Sequence, residues 1–195
     1  MSTVMPAIPA LPRASAGRWR KLLDATYLGA GALGAAAVLA IAVLMIWQTV
    51  MRIVGHSTGA ANDIVAWLAA AAAFLTMAHA FKHGDFVRVT VLIDRLSDAH
   101  RRRFEIASLS LGVVATGYLT WWACEATLES WRFNDIAQGL LPLPMWIPQS
   151  SFVVGALLLL VAVVDELVLV CRGEEPTYTR LARERHAAGD YSSDI

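Results

Sequence analysis

The sequence predicts an all-α integral membrane protein of four transmembrane helices, with its N and C termini both cytoplasmic. Three observations predict it. Apolar residues make up 57% of the 195 and charged residues only 16%, where a soluble domain carries about a quarter charged. The apolar residues gather in four long runs, about 27–51, 63–81, 104–128 and 150–171, and about 20 helical residues cross a hydrocarbon core of roughly 30 Å. Of the 16 Lys and Arg residues, all but Arg52 and Arg132 fall in the two tails or in the loop between runs two and three. That asymmetry assigns those segments to the cytoplasm.

Backbone groups in lipid must satisfy their own hydrogen bonds, so each run is expected as a helix. The chain divides into a basic N-terminal tail (1–26), a four-span membrane domain (27–171) and a polar C-terminal tail (172–195) that is expected to be frayed. The first run is longer than a signal-peptide core and follows a basic tail, so it is expected as an uncleaved anchor. It carries Gly29, Gly31 and Gly34 among many alanines, and run two contains Ala69 to Ala73 unbroken. Small residues let helix backbones approach closely in lipid, either within the four spans or against another subunit. Trp47, Trp67, Trp121, Trp122, Trp131 and Trp146 all fall near the outer boundary of this topology, as headgroup-level rings do.

The connections are not simply polar. Between runs two and three, Phe86, Val89, Ile93 and Leu96 fall at helical spacing, with Asp85, Arg88, Asp94 and Arg95 on or near the other face. This predicts a short amphipathic helix in the inner interface, its cations near anionic headgroups. Val87, Val89, Val91 and Ile93 also alternate as in a strand, but a lone strand has no partner in so short a loop. Gly84 permits the sharp exit from run two, and Arg88 anchors the interfacial helix to phosphate. The outer loop from Glu129 to Gln149 is apolar and holds Pro142, Pro144 and Pro148. It is expected to lie in the outer interface or to pack against another protein, its prolines preventing a regular helix. Arg52 and Asp63 flank the first outer loop, either paired across it or as two solvated end charges.

Several function classes are excluded. Zero net charge gives no basic face for nucleic acid. A transport pathway needs polar groups at mid-membrane. Here Glu125 lies near the outer boundary, and Asp165 and Glu166 near the inner one, where side chains are expected to reach water. A haem would need histidines on facing helices. His79 and His83 share one face at i, i+4, but no other span carries a histidine at mid-membrane to face them across a haem, and two ligands make an incomplete metal site. Cys124 and Cys171 end on opposite sides and are expected unpaired. No catalytic residue, cofactor or metal is therefore expected, and the chain reads as one subunit of something larger.

From about Tyr27 to Val170 the sequence resembles the small, DctQ-like membrane subunit of the tripartite ATP-independent periplasmic (TRAP) transporters. The residues that carry the resemblance are Met51-Arg52 before a Gly-His-Ser turn, with Asp63 opening run two. Phe81-Lys82-His83-Gly84-Asp85-Phe86-Val87-Arg88-Val89 is similar to the family's basic–Gly–x–His–Val–Arg–Val segment. Leu143-Pro144-Met145-Trp146-Ile147-Pro148, with Gly155 after it, is similar to its Pro–Trp lead into the last span. Phe86 stands where many members have histidine and Thr90 where many have aspartate, so any role of those polar groups is met differently here.

The resemblance implies a non-catalytic scaffold subunit in a bacterial inner membrane. Its partners would be a large permease subunit with a sodium-coupled, elevator-type pathway and a periplasmic solute-binding protein that delivers organic acids. Membrane lipids are further partners. The candidate structural positions are Arg52, Asp63, Gly84, Arg88, Pro144, Trp146 and Pro148. The alternative is a small four-span redox or quinone-associated protein, and a third reading is a tetraspan assembly factor.

Overall fold

The computed structural model describes residues 18–56, 58–83, 98–174 and 176–181. Four helices form: α1 (Arg18–Ile53), α2 (Ala60–His83), α3 (Asp98–Arg132) and α4 (Trp146–Cys171). Each is long and apolar enough to cross a bilayer. Among the described residues there is no strand, only one isolated antiparallel bridge between Ile136 and Pro144. The expected interfacial helix, with Gly84 and Arg88, lies outside the described residues, as do most of both tails.

Every helix outruns its apolar run. Hydrophobicity marks the part suited to hydrocarbon, whereas the helical backbone continues into the polar flanks. α4 shows this best. It starts at Trp146 and takes Pro148 into its first turn, where a missing N–H has no intrahelical acceptor to lose. The expectation that this proline keeps the loop non-helical is corrected.

Three helices stop in the same way. After α1, Gly55 donates to the Arg52 carbonyl and His56 to that of Met51. After α4, Gly173 donates to Val170 and Glu174 to Leu169. Both glycines have positive φ, +86° and +80°, the conformation this paired cap requires at the residue past the helix. After α3 the same place is held by Asn134 at φ 51°, with Asp135 donating to the Ser130 carbonyl.

α1 packs on α2, α2 on α4, and α4 on α3, so α2 and α4 form the middle and α1 and α3 the flanks. The core comprises Tyr27, Ala78, Leu109, Leu159, Ala162, Val163 and Val170. Small residues set the spacing. A Cβ on Gly34 would lie 2.3 Å from Thr76 Cγ2, and one on Gly155 only 2.5 Å from the Phe74 backbone. Dispersion at such close approach replaces the hydrophobic drive that lipid cannot supply. Gly31 also meets α2, at His79, whereas Gly29 has nothing within 4 Å. The glycine face of α1 is thus mostly internal. Phe74 and Phe152 meet edge to face with centroids 4.1 Å apart, alongside Gly155.

Candidate functional site

Ionisable side chains from two spans converge where α1 begins and where α2 and α4 end. Lys82 lies in the last turn of α2, and Asp165 and Glu166 lie in succession on α4. Successive helical residues diverge, so one lysine can sit between them. The Lys82 ammonium pairs with Asp165 Oδ2 and donates to Glu166 Oε1 at 3.2 Å. Glu166 Oε2 accepts the backbone N–H of Thr177 at 2.9 Å. From α1, the Tyr27 ring lies under the ammonium, 5.5 Å from its centroid, within cation–π range. The Tyr27 hydroxyl is buried with no hydrogen-bond partner among the described residues.

The depth of this cluster corrects the sequence reading. Lys82 is 6% exposed and Glu166 0%, so these two do not reach water from their spans, whereas the Asp165 side chain is 23% exposed, as expected for a group near the boundary. Two things cover them. One is Tyr27, 2% exposed. The other is the chain after α4, which turns back so that Pro176 and Tyr178 are buried, Tyr178 against Phe81 with centroids 6.5 Å apart. Residues 176–181 are therefore folded against the bundle, contrary to the frayed tail expected there. A buried charge is tolerable when paired and hydrogen-bonded, and Glu166 has a partner on each oxygen. Nearby, Arg102 of α3 donates to the Cys171 carbonyl at 3.0 Å, fastening α3 to the end of α4.

His79 and His83 stack with ring centroids 4.0 Å apart, and His83 Nδ1 lies 2.9 Å from the His79 carbonyl oxygen. Among the described residues no three His, Cys, Asp or Glu gather in a way that could hold a metal ion.

The opposite end is closed by backbone. The apolar α3–α4 loop folds into a hairpin-like turn: Ala137 donates to the Leu143 carbonyl at 2.9 Å and Met145 to that of Asp135 at 2.8 Å. Its tip lies on the start of α2, where Asp63 Oδ2 accepts the N–H groups of Leu140 at 2.8 Å and Leu141 at 3.4 Å. Glycines make room for this contact. A Cβ on Gly139 would fall 2.2 Å from Asp63 Oδ2, and one on Gly59 2.4 Å from Leu140 Cδ1. Between α1 and α2, Gln48 Nε2 donates to Asn62 Oδ1 at 2.9 Å.

The candidate residues fall into this frame unevenly. Asp63 holds the hairpin tip rather than pairing with Arg52. Arg52 lies in a pocket between α1 and α2. Pro144 forms the isolated bridge, Trp146 opens α4 and Pro148 lies in its first turn. Tyr27, Lys82, Asp165 and Glu166 were missed as a group. The available signal was opposite charges at matching depth in two apolar runs. Gly139 was missed because its partner is a side chain distant in sequence.

The flanking helices expose their apolar side chains. On α1 these include Leu39 at 67% and Ile46 at 67%, and on α3 Leu111 at 71% and Trp121 at 68%. Such faces suit lipid or another membrane protein, not water. The family described as "Tripartite ATP-independent periplasmic transporters, DctQ component" matches residues 41–173, from the middle of α1 to the cap of α4. Among curated proteins no match was found. With four apolar helices throughout that span and most of the chain matched, the protein belongs to the DctQ-component family of TRAP transporters.

Proposed function

We propose that this chain is the small, non-catalytic scaffold subunit of a TRAP-type secondary transporter. It pairs with a large permease subunit that carries the transport pathway, and a periplasmic solute-binding protein delivers organic acids to the pair. The observation that carries this reading is the family match over residues 41–173, on a fold whose buried ionisable groups are bound to one another. Lys82, Asp165 and Glu166 join α2, α4 and the segment after α4, and so serve the chain's own architecture. No cofactor is invoked.

The distribution of Lys and Arg supports a bacterial inner-membrane topology with N and C termini cytoplasmic. The α1–α2 and α3–α4 loops then face outward. Residues 1–26 and 172–195 flank the membrane domain on the cytoplasmic side, as does the connection between α2 and α3.

Reconstitution tests the proposal. The large permease subunit is placed in liposomes with and without this chain, and uptake of the solute delivered by the system's binding protein is followed under a sodium gradient. Uptake is expected only with all three components, and none from this chain alone. Full uptake without it, or solute movement by this chain alone, overturns the scaffold role.

A further inference from the structure

We propose that the pocket between the end of α1 and the start of α2 binds a phosphate group, carried by an anionic phospholipid or free in solution. The pocket is an open depression of roughly 380 Å³ lined by Gln48, Arg52, His56, Thr58 and Asn62 with the backbones of Gly55 and Gly59. Among the described residues the only lining side chain with a fixed charge is the Arg52 guanidinium. The nearest sequence candidate to neutralise it, Asp63, is turned to the amides of Leu140 and Leu141. Among the described residues the lining therefore holds one cation and no carboxylate.

Its other groups are held for an anion. Gln48 is 6% exposed and its amide is fixed by the hydrogen bond to Asn62, so a polar floor exists without prior ordering. Two carbonyls of the last turn of α1, those of Arg52 and Met51, which would repel phosphate, are taken up by the N–H groups of Gly55 and His56. The favourable dipole end of α2 faces the pocket opposite the unfavourable end of α1, so the charge that selects an anion is that of Arg52. A guanidinium can present two parallel N–H donors to phosphate oxygens. Beside the pocket, α1 exposes Trp47, Val50, Ile53 and Val54, an apolar strip along which acyl chains can lie. That strip favours the lipid as the source. The site does not depend on the transporter reading, which supplies only the outer leaflet as its location.

The test uses the purified full chain in nanodiscs of phosphatidylcholine, alone or mixed with phosphatidylglycerol. Lipid retained after partial delipidation is read by native mass spectrometry. A second arm titrates inorganic phosphate into the phosphatidylcholine discs and follows thermal unfolding. The wild type is expected to retain phosphatidylglycerol in preference to phosphatidylcholine. R52A should lower that retention about tenfold, the worth of one charge-assisted hydrogen bond. R52K should keep part of it, and R132A, at the end of α3, all of it.

Selective retention without a phosphate response assigns the lipid, whereas stabilisation by inorganic phosphate that R52A abolishes assigns the free anion. Equal retention of both lipids with no phosphate response overturns the proposal, as does R52A behaving like wild type. Arg52 is exposed, so the variant should fold, and R52K keeps the test decisive if it does not.

Discussion

The two ends of the bundle are tied by different chemistry. At the end where α1 begins and α4 stops, ionisable side chains bind one another, two of them buried: Lys82 lies between the buried Glu166 and the partly exposed Asp165, roofed by Tyr27 and the chain around Thr177. At the loop end, one half-buried carboxylate accepts backbone N–H groups: Asp63 takes those of Leu140 and Leu141. The first arrangement is expensive to build and more expensive to break in half, because removing one partner strands a charge in a low-dielectric site. The second risks little, since a freed amide near the surface can turn to water. The difference teaches that the tolerance of each end to substitution follows from what is left behind, not from how many bonds are lost.

The sharpest way to break the comparison is Lys82→Met. It leaves Asp165 and Glu166 uncompensated, and a loss of about 3–5 kcal/mol is expected. Adding Asp165→Leu and Glu166→Met should recover most of it, because an apolar replacement of a whole buried cluster is near neutral. Unfolding in detergent with rising dodecyl sulfate measures both. A single variant as stable as wild type would mean that the cluster is hydrated and the two ends are alike.

Thr177→Pro probes one bond of the same cluster. Position 177 is the first residue of a short helical turn (177–181), where proline is well tolerated. The substitution therefore removes chiefly the N–H that Glu166 accepts. A hydrogen bond to a charged group is worth about 1.5–3 kcal/mol, and residues 176–181 should become open to protease. At the loop end, Gly139→Ala should cost about 1–2 kcal/mol, since its Cβ would fall on the Asp63 carboxylate. Combined with Asp63→Ala the cost should be less than additive, because each change undoes the same contact. Additivity would place Gly139 in a role unrelated to Asp63.

Tyr27→Phe asks what the roof contributes. The ring remains over Lys82 while the unpartnered hydroxyl is gone, so stability should stay level or rise by up to about 1 kcal/mol. A clear loss would reveal a hidden partner for that hydroxyl.

Much of the fold was legible in the sequence, and the reason is lipid. A span must be apolar over its whole length, so run length alone locates four helices. What the runs could not mark is how far the flanks stay helical, as the polar Arg18 to Thr26 and the proline-bearing Trp146 to Gln149 do. The site was less legible. Lys82 and Glu166 lie near the ends of apolar runs, where charges commonly reach water, and it is Tyr27 together with the return of residues 176–181 that buries them. Asp63 was visible as an acid opening α2, but its partners are main-chain amides, which every residue but proline carries and no sequence distinguishes. Gly139 is informative only once Asp63 is known to face it.

The smallest expected effect concerns Arg52 and Asp63, which flank the same loop with opposite charges. Sequence position allows a pair across the loop. The structure gives the Asp63 carboxylate to Leu140 and Leu141 instead, and turns Arg52 into the pocket with Gln48 and Asn62. Two charges that share no partner should act independently. Arg52→Ala alone should change the stability of the isolated chain by no more than about 0.5 kcal/mol, as exposed substitutions do. Asp63→Ala should cost more, about 1 kcal/mol, through its hydrogen bonds. The double variant should equal the sum within about 0.3–0.5 kcal/mol. A coupling near 1 kcal/mol would restore the ion pair, remove the isolated cation from the pocket, and make the loop end a second site where opposite charges hold two helices together.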